Sequence, residues 1–294
     1  MDIYMELINC RQIAQGIEDK IAKQVYALCA DPNSGYPMLR RPSLAIIKIG
    51  EKADSALYVK IKERQAKSVG IETSLYLLSE NTTNEEVLTA IKFLNDDPLV
   101  DGILVQLPLP AHLDTDGIIA SIKPSKDVDG FHTENLTRLT SSEETKIIPP
   151  VYAGIMACLG NIKFELAGKR VVIIGKSDIF TSHLDSFLQS LGASVEVFKA
   201  NDNWQEAAQA AELLISAVGK PQLINKDCVS AGVVIIDIGI SQIEGKTYGD
   251  ADAESLKDVP GHLTPVPGGM GPLTVALALQ NTFNSYLGNI KTNE

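Results

Sequence analysis

Short runs of β-branched and apolar residues alternate with helical stretches along this chain, and this alternation constrains the fold more than any other feature. In the first half, three such runs, at 44–49, 73–78 and 102–106, predict strands. The stretches between them, 54–68 and 84–95, predict helices. Strands that alternate with helices form mainly parallel sheets with helices on their faces. The sequence therefore predicts an α/β fold.

The same alternation returns after the polar stretch 140–146. The second set of predicted elements comprises strands at 170–174, 194–198, 213–217 and 233–238, and helices at 179–191 and 204–211. A long amphipathic helix opens the chain, with apolar residues from Ile13 to Leu28 at steps of three and four, and a helix over 272–287 closes it. The length of 294 residues suits two such α/β domains.

Composition narrows the class of protein. A formal net charge of -11 would repel a phosphate backbone, so no nucleic-acid partner is expected. The apolar runs are too short to cross a bilayer and the N-terminus lacks a basic start, so we expect a cytoplasmic protein without a membrane partner. Four cysteines are widely separated with no C-x-x-C pair, which favours buried free thiols over disulfides or a metal site.

One predicted helix and the strand end at 106 carry the first candidate site. Tyr58 and Lys62 are four residues apart, and Ser55 is three before Tyr58, so all three share one helix face. A lysine transfers protons usefully only when its surroundings lower its pKa, and Gln106, at the strand's carboxyl edge, could form part of such a pocket. A half-buried tyrosine, a solvated lysine and a rigid Pro-Leu-Pro turn after Gln106 are the alternatives.

Two loops complete this candidate site. Asp129 lies in a glycine-containing loop, where its carboxylate could accept paired N–H bonds from a ring or simply form a turn. Pro267, Gly268 and Gly269 precede the closing helix, and their small side chains suit close approach of the backbone to a planar ligand. A bare glycine-rich turn is the alternative for this second loop.

Taken together, these segments resemble the bifunctional methylenetetrahydrofolate dehydrogenase/methenyltetrahydrofolate cyclohydrolase family. Their order and approximate spacing also match. The segments that carry the resemblance are S-A-L-Y-V-K-I-K at 55–62, Q-L-P-L-P at 106–110, K-D-V-D-G-F at 126–131 and T-P-V-P-G-G-M-G-P at 264–272.

The resemblance implies two α/β domains with a cleft between them, usually in a homodimer. A folate domain would comprise 1–146 plus 272–294, and a Rossmann-like NAD(P)-binding domain 147–271. It further implies that methylenetetrahydrofolate is oxidised with NADP and that the methenyl product is hydrolysed to formyltetrahydrofolate.

The resemblance also assigns roles to individual residues. Lys62 would be the central catalytic group, Tyr58 would pack on the folate, Gln106 would tune the lysine, and Asp129 would hold the pterin. Ser55 and the loop of Pro267, Gly268 and Gly269 would complete the substrate site.

The cofactor contacts would come from Gly175, Lys176, Ser177, Lys199 and Ile240. Lys176 and Lys199 could meet the ribose phosphate of NADP or lie on the surface. Asp202 could instead accept a ribose hydroxyl, which would favour NAD, or cap a helix.

Departures from the family fall on this dinucleotide side. The family's phosphate loop has the pattern G-x-S-x-x-V-G-x-P. In this chain, Thr181 replaces the second glycine of that pattern and His183 replaces its proline. We interpret His183 as an ordinary helix histidine. Ala200 replaces a serine in H-S-x-T, and Val151 replaces the threonine of P-C-T-P-x-G. These changes predict weaker NADP binding. They therefore predict a dehydrogenase activity that is impaired relative to the cyclohydrolase activity. The alternatives are a folate-binding regulatory subunit without dehydrogenase activity, and a dehydrogenase for another small substrate.

Overall fold

A computed structural model describes residues 4–29, 39–50, 53–141 and 147–291, without the side chains of residues 53–57 and 291. The helices are α1 (Cys10–Cys29), α2 (Ala53–Ser68), α3 (Asn84–Asp96), α4 (Thr115–Ala120), α5 (Thr133–Leu139), α6 (Pro150–Asn161), α7 (Asp178–Ser190), α8 (Gln205–Ala210), α9 (Ala253–Leu256) and α10 (Met270–Lys291). The strands are β1 (Met5–Leu7), β2 (Ser43–Ile49), β3 (Glu72–Leu78), β4 (Gly102–Val105), β5 (Arg170–Gly175), β6 (Ser194–Phe198), β7 (Leu213–Ala217), β8 (Val233–Asp237), β9 (Ser241–Ile243), β10 (Lys246–Tyr248) and β11 (Gly261–Leu263).

The chain divides into two compact units. The N-terminal unit comprises residues 15–150 and 275–294, and the central unit comprises residues 1–14 and 151–274. Each unit is built on a parallel sheet, which confirms the predicted α/β class.

In the N-terminal unit, a three-stranded parallel sheet of order β3-β2-β4 has a core on each face. On one face, Leu44 and Ile46 of β2 pack with Val25 of α1, Val59 of α2 and Phe283 of α10. The opposite face packs against α3 and α4. Because alternate β2 residues point to opposite faces and both faces are covered, the strand is apolar almost throughout.

The starts of helices α3 and α10 each have an identifiable local cause. Thr83 caps α3: its hydroxyl accepts the Glu86 N–H, and the Glu86 carboxylate accepts the Thr83 N–H in return. The closing helix α10 begins at Met270, two residues earlier than predicted, so Pro272 lies in its first turn. A proline is tolerated there because the first-turn N–H groups have no partner within the helix.

In the central unit, a six-stranded parallel sheet has the order β1-β11-β8-β7-β5-β6. The four predicted strands of this half form β5 to β8, whereas β1, β11, the β9–β10 hairpin and helix α6 had no counterpart in the prediction. Strand β1 pairs with β11, with Met5 opposite Gly261. This pairing places the first residues of the chain in the central unit, although the sequence grouped them with residues up to 146.

The cysteines are free and buried, as predicted. The Sγ atoms of Cys10 and Cys158 are 3.7 Å apart inside the central unit. Across the part of the chain that the structure describes, no helix has both the length and the apolar character needed to span a membrane.

Candidate active site

The side chains of Lys62 and Gln106 meet in the N-terminal unit. Lys62 projects from α2, and its Nζ donates to Gln106 Oε1 at 3.0 Å. Gln106 follows β4 directly, and its N–H continues the sheet by donating to the Ile47 carbonyl at 2.9 Å. The Gln106 Nε2 donates to the Leu107 carbonyl at 2.8 Å. The amide is therefore held at both ends, with its oxygen directed at the lysine.

The electrostatics around Lys62 favour a titrating amine. Burial lowers the pKa of Lys62, because desolvation disfavours the charged ammonium, and the negative charge of Asp129 partly opposes this shift. Burial likewise raises the pKa of the Asp129 carboxyl, and the charge of Lys62 opposes that shift. The two groups are thus coupled by charge, which is typical of a functional site.

The loop that carries Asp129 is fixed by a buried neighbour. Asp127 is 1% exposed and accepts the backbone N–H groups of His132 and Gly130 at 2.7 and 3.1 Å. Burial raises the pKa of Asp127 to about 6. Asn281 of α10 holds the same loop by donating to the Val128 carbonyl at 2.9 Å. Sequence reasoning assigned no role to Asp127, although its place two residues before Asp129 in an unusual K-D-V-D motif was a signal.

The remaining predicted substrate residues are distributed over both units. Tyr58 is half-buried on α2, one turn before Lys62. The Ser55 side chain lies outside the described residues. Pro267, Gly268 and Gly269 belong to the central unit.

The glycine positions of this second loop are explained by close contacts. Gly268 has a φ of 104°, and a Cβ there would lie 3.0 Å from the Arg11 guanidinium. A Cβ on Gly269 would lie 2.3 Å from the Pro265 carbonyl oxygen. The positive φ therefore favours glycine at position 268, and the nearby backbone leaves no room for a side chain at position 269.

A cavity of about 470 Å³ opens at the carboxyl ends of β5, β6 and β7 in the central unit. This edge is where open α/β sheets bind their ligands. Gly175 and three lysines, Lys176, Lys199 and Lys220, are among the residues that line it. Their positive charges suit phosphate groups, so the residues present fit a dinucleotide.

The other predicted cofactor residues surround this cavity. Ser177 caps α7, its Oγ accepting the Phe180 N–H at 3.3 Å. The Lys199 ammonium pairs with Asp178 at 3.2 Å, and both side chains are largely exposed. Asp202 accepts the Lys199 backbone N–H at 2.6 Å, so it caps a turn rather than the following helix. Ile240 is 44% exposed and does not line the cavity.

The structure shows the surroundings of three of the departures from the family pattern. Thr181 is buried, and its methyl group is directed at the sheet: a Cβ on Gly175 would lie 2.3 Å from it. Its hydroxyl donates to the Ser177 carbonyl at 3.1 Å. Ala200 lines the cavity and has no hydroxyl to offer. His183 bonds to the Ile179 carbonyl one turn before it, as an ordinary helix histidine would.

A buried carboxylate that the sequence did not reveal holds one wall of this cavity. Asp250 is fully buried and accepts the N–H groups of Val218 and Lys220 at 2.8 and 2.7 Å and the Ser216 hydroxyl at 2.6 Å. Asp237 in turn accepts the Asp250 N–H at 3.1 Å, and burial raises the pKa of Asp237 to about 6. The partners of Asp250 lie about thirty residues before it in the chain, so no local sequence pattern indicates its role.

Two family models match the chain. The catalytic domain of tetrahydrofolate dehydrogenase/cyclohydrolase matches residues 8–129, and the NAD(P)-binding domain of the same enzymes matches residues 149–289.

Individual relatives agree over nearly the full length. A bifunctional protein FolD from Sulfurihydrogenibium sp. is 40% identical over 284 residues, covering 96% of this chain and 98% of the relative. The crystal structure of the bifunctional FolD methylenetetrahydrofolate dehydrogenase/cyclohydrolase from Campylobacter jejuni is 36% identical, with a TM-score of 0.89 and coverage of 97% and 99%. A Trypanosoma brucei FolD structure, complexed with NADP and an inhibitor, is 28% identical, with a TM-score of 0.90 and coverage of 98% and 99%.

Proposed function

Because the chain belongs to the tetrahydrofolate dehydrogenase/cyclohydrolase family, we propose that it oxidises methylenetetrahydrofolate with NADP and hydrolyses the methenyl product to formyltetrahydrofolate. The observation that carries the proposal is the Lys62–Gln106 hydrogen bond of 3.0 Å beside the charge-coupled Asp129. A regulatory subunit without dehydrogenase activity is not supported, since both domain models of a bifunctional family match.

The cyclohydrolase step uses the amine of Lys62. The methenyl carbon is an electrophilic iminium carbon, which water attacks to give a tetrahedral adduct. Lys62, with its pKa lowered by burial, has an increased neutral fraction at working pH and moves protons as the adduct opens. Gln106 keeps the amine in place through its side-chain oxygen.

Folate binding is assigned to residues around this amine. Asp129 accepts hydrogen bonds from the pterin, on a loop that Asp127 and Asn281 hold in place. Tyr58 packs on the folate ring from the turn of α2 before Lys62. Ser55 and the loop at 267–269 are assigned to substrate contacts on the family resemblance alone.

The dehydrogenase step requires the dinucleotide, which supplies the hydride acceptor when bound. Gly175, Ser177 and the start of α7 would receive its pyrophosphate. Lys176 and Lys199 would meet the additional ribose phosphate of NADP, and Ile240 would contact the cofactor beyond the cavity. NAD is the alternative cofactor, but Asp202, the residue that would favour it, already bonds to a backbone N–H.

Three further points belong to the same proposal. The enzyme acts in the cytoplasm and forms a homodimer. The predicted bounds are 1–146 with 272–294 for the folate domain and 147–271 for the dinucleotide domain, although residues 1–14 group with the central unit.

Spectrophotometric assays of the purified protein test the function. One assay follows hydrolysis of methenyltetrahydrofolate, and the other follows oxidation of methylenetetrahydrofolate with NADP and, separately, with NAD. We expect hydrolysis, and oxidation that is faster with NADP. Absence of hydrolysis would refute the role of Lys62, and faster oxidation with NAD would refute the cofactor assignment.

A further inference from the structure

A buried tyrosine contacts the segment in which this chain departs from the family pattern. Tyr152 of α6 is fully buried, and its hydroxyl donates to the Phe180 carbonyl at 2.8 Å. Its ring stacks on Phe187 with a centroid distance of 5.9 Å and lies 5.6 Å from the Phe180 ring. Phe180 is in the first turn of α7, directly after the loop that starts at Gly175. Tyr152 therefore holds a backbone atom of the segment assigned to the pyrophosphate.

Both partners of this hydrogen bond are themselves departures. Tyr152 stands where the family pattern P-C-T-P-x-G has its second proline, and Phe180 stands at the valine position of the phosphate loop. A proline side chain has no hydrogen-bond donor, so the bond exists only because of the substitution. The two changes are 28 residues apart in the chain but in direct contact in the fold.

Thr181, the neighbouring departure, holds another peptide group of the same turn. Its hydroxyl donates to the Ser177 carbonyl at 3.1 Å, while the Ser177 side chain accepts the Phe180 N–H. Its methyl group fills the space over Gly175. The altered side chains thus form one set of contacts around the first turn of α7.

We propose that Tyr152 is a positioning residue for dinucleotide binding, whose hydroxyl holds the Phe180 carbonyl and thereby keeps the loop at 175–180 in the shape that receives the pyrophosphate. The inference rests on the proposed dehydrogenase function. A positioning role differs from core packing in its consequence. Loop shape controls affinity for the dinucleotide, whereas packing controls the stability of the whole central unit.

The substitution Tyr152→Phe tests this role because it removes the hydroxyl and keeps the ring. Burial raises the pKa of the Tyr152 phenol, so the native side chain stays a donor throughout the assay range. We expect the Kd for NADP, measured by calorimetry, and the KM for NADP to rise roughly two- to tenfold, as the loss of one hydrogen bond predicts. The dehydrogenase kcat at saturating NADP and the cyclohydrolase kcat/KM should stay within twofold of the unmodified protein.

Tyr286→Phe is the matched control. Tyr286 is also fully buried, and its hydroxyl donates to the Arg40 carbonyl at the same 2.8 Å, but it lies in the N-terminal unit. It should leave the Kd for NADP unchanged even if it lowers the Tm.

An unchanged Kd for NADP in Tyr152→Phe would overturn the inference while leaving the proposed function intact. If the Kd for NADP rises as much in Tyr286→Phe as in Tyr152→Phe, Tyr152 is only a packing residue. The same conclusion follows if Tyr152→Phe loses as much cyclohydrolase activity as NADP affinity. An unmodified protein that binds neither NADP nor NAD would overturn both the inference and the proposed dehydrogenase.

Discussion

The lysine site of the N-terminal unit and the cavity of the central unit are maintained by different kinds of interaction. Around Lys62, the candidate functional groups are individual side-chain atoms: an amine, the amide oxygen that it contacts, and a carboxylate. The amine and the carboxylate each shift the pKa of the other. Around the cavity, many of the contacts are to backbone groups, which Asp250 and Tyr152 hold from behind the loops and Ser177 holds at the start of α7.

This difference explains where the sequence departs from its family. An amine with a lowered pKa cannot be replaced by another side chain without losing its proton transfer. A backbone loop, by contrast, keeps its shape whenever its carbonyls and N–H groups find partners, whichever residues provide them. The folate-side motifs accordingly match throughout, while the dinucleotide side carries Val151, Tyr152, Phe180, Thr181 and Ala200.

The largest effect should follow a change at the lysine site. Lys62→Met roughly keeps the side chain's length and removes the titrating amine, so we expect both activities to fall by about a hundredfold or more. Spectrophotometric assays of the two reactions measure this, with circular dichroism to check the fold.

Lys60→Met provides the control for this substitution. Lys60 is exposed on the same helix, two residues earlier, so its loss should change neither activity. If Lys62→Met hydrolyses methenyltetrahydrofolate at a near-normal rate, the amine of Lys62 does not carry out the proton transfer.

A second prediction concerns the dinucleotide side of the protein, where lost hydroxyl groups should weaken NADP binding. Restoring them with Ala200→Ser and Val151→Thr should tighten NADP binding about ten- to a hundredfold if each regains a hydrogen bond of roughly 0.5 to 1.5 kcal/mol. Adding Thr181→Gly completes the family pattern. Because the Thr181 methyl faces Gly175 and not the cavity, we expect little further gain from this third change.

The KM for NADP across this series measures the effect. Val197→Thr, which adds a hydroxyl at an exposed position on β6, is the control and should leave the KM unchanged. If the unmodified protein already binds NADP at low micromolar concentration and oxidises as fast as it hydrolyses, the departures are harmless and this prediction is wrong.

A third prediction returns to the folate side. Asp129→Ala removes the carboxylate assigned to the pterin, and a hydrogen bond to a charged group contributes about 1.5 to 3 kcal/mol. Binding of a folate analogue should therefore weaken by roughly one to two orders of magnitude, while NADP affinity stays the same. Calorimetry with each ligand measures this, and Asp116→Ala, at an exposed position on α4, is the control. Unchanged folate affinity would make Asp129 a turn residue.

The sequence predicted those parts of the fold that have periodicity or family motifs. Most of the longer strands and helices were found within a few residues of their observed bounds, because their apolar faces repeat over several turns or pleats. The 12-residue helix α6 was missed. The three-residue strands β1 and β11 are too short to show any period and form only because they pair with each other and with β8.

The candidate site, like the fold, was predicted only in part. The resemblance assigned Lys62 and Gln106 to one site although they are 44 residues apart, and the structure joins them by a hydrogen bond. The contacts of Asp250 and Tyr152 could not be predicted, because most of their partners are backbone groups elsewhere in the chain. Backbone groups carry no sequence signal, so such contacts become visible only in three dimensions.

The smallest predicted effect is a change in the pH dependence of the cyclohydrolase, and it tests the charge coupling directly. If the neutral amine of Lys62 is the active form, kcat/KM rises with pH through the lowered pKa of Lys62 and then levels off. The negative charge of Asp129 stabilises the ammonium and so raises that pKa. Removing the charge must therefore lower it.

Asp129→Asn should thus move the rising limb of the profile to lower pH. The profile is measured as kcat/KM against pH, after subtracting the uncatalysed rate at each pH. Asp116→Asn, which removes an exposed carboxylate of the same unit, should leave the limb in place. A limb that stays in place in Asp129→Asn, or moves to higher pH, would mean that the charge of Asp129 does not act on Lys62. The comparison would then rest on the Lys62–Gln106 hydrogen bond alone.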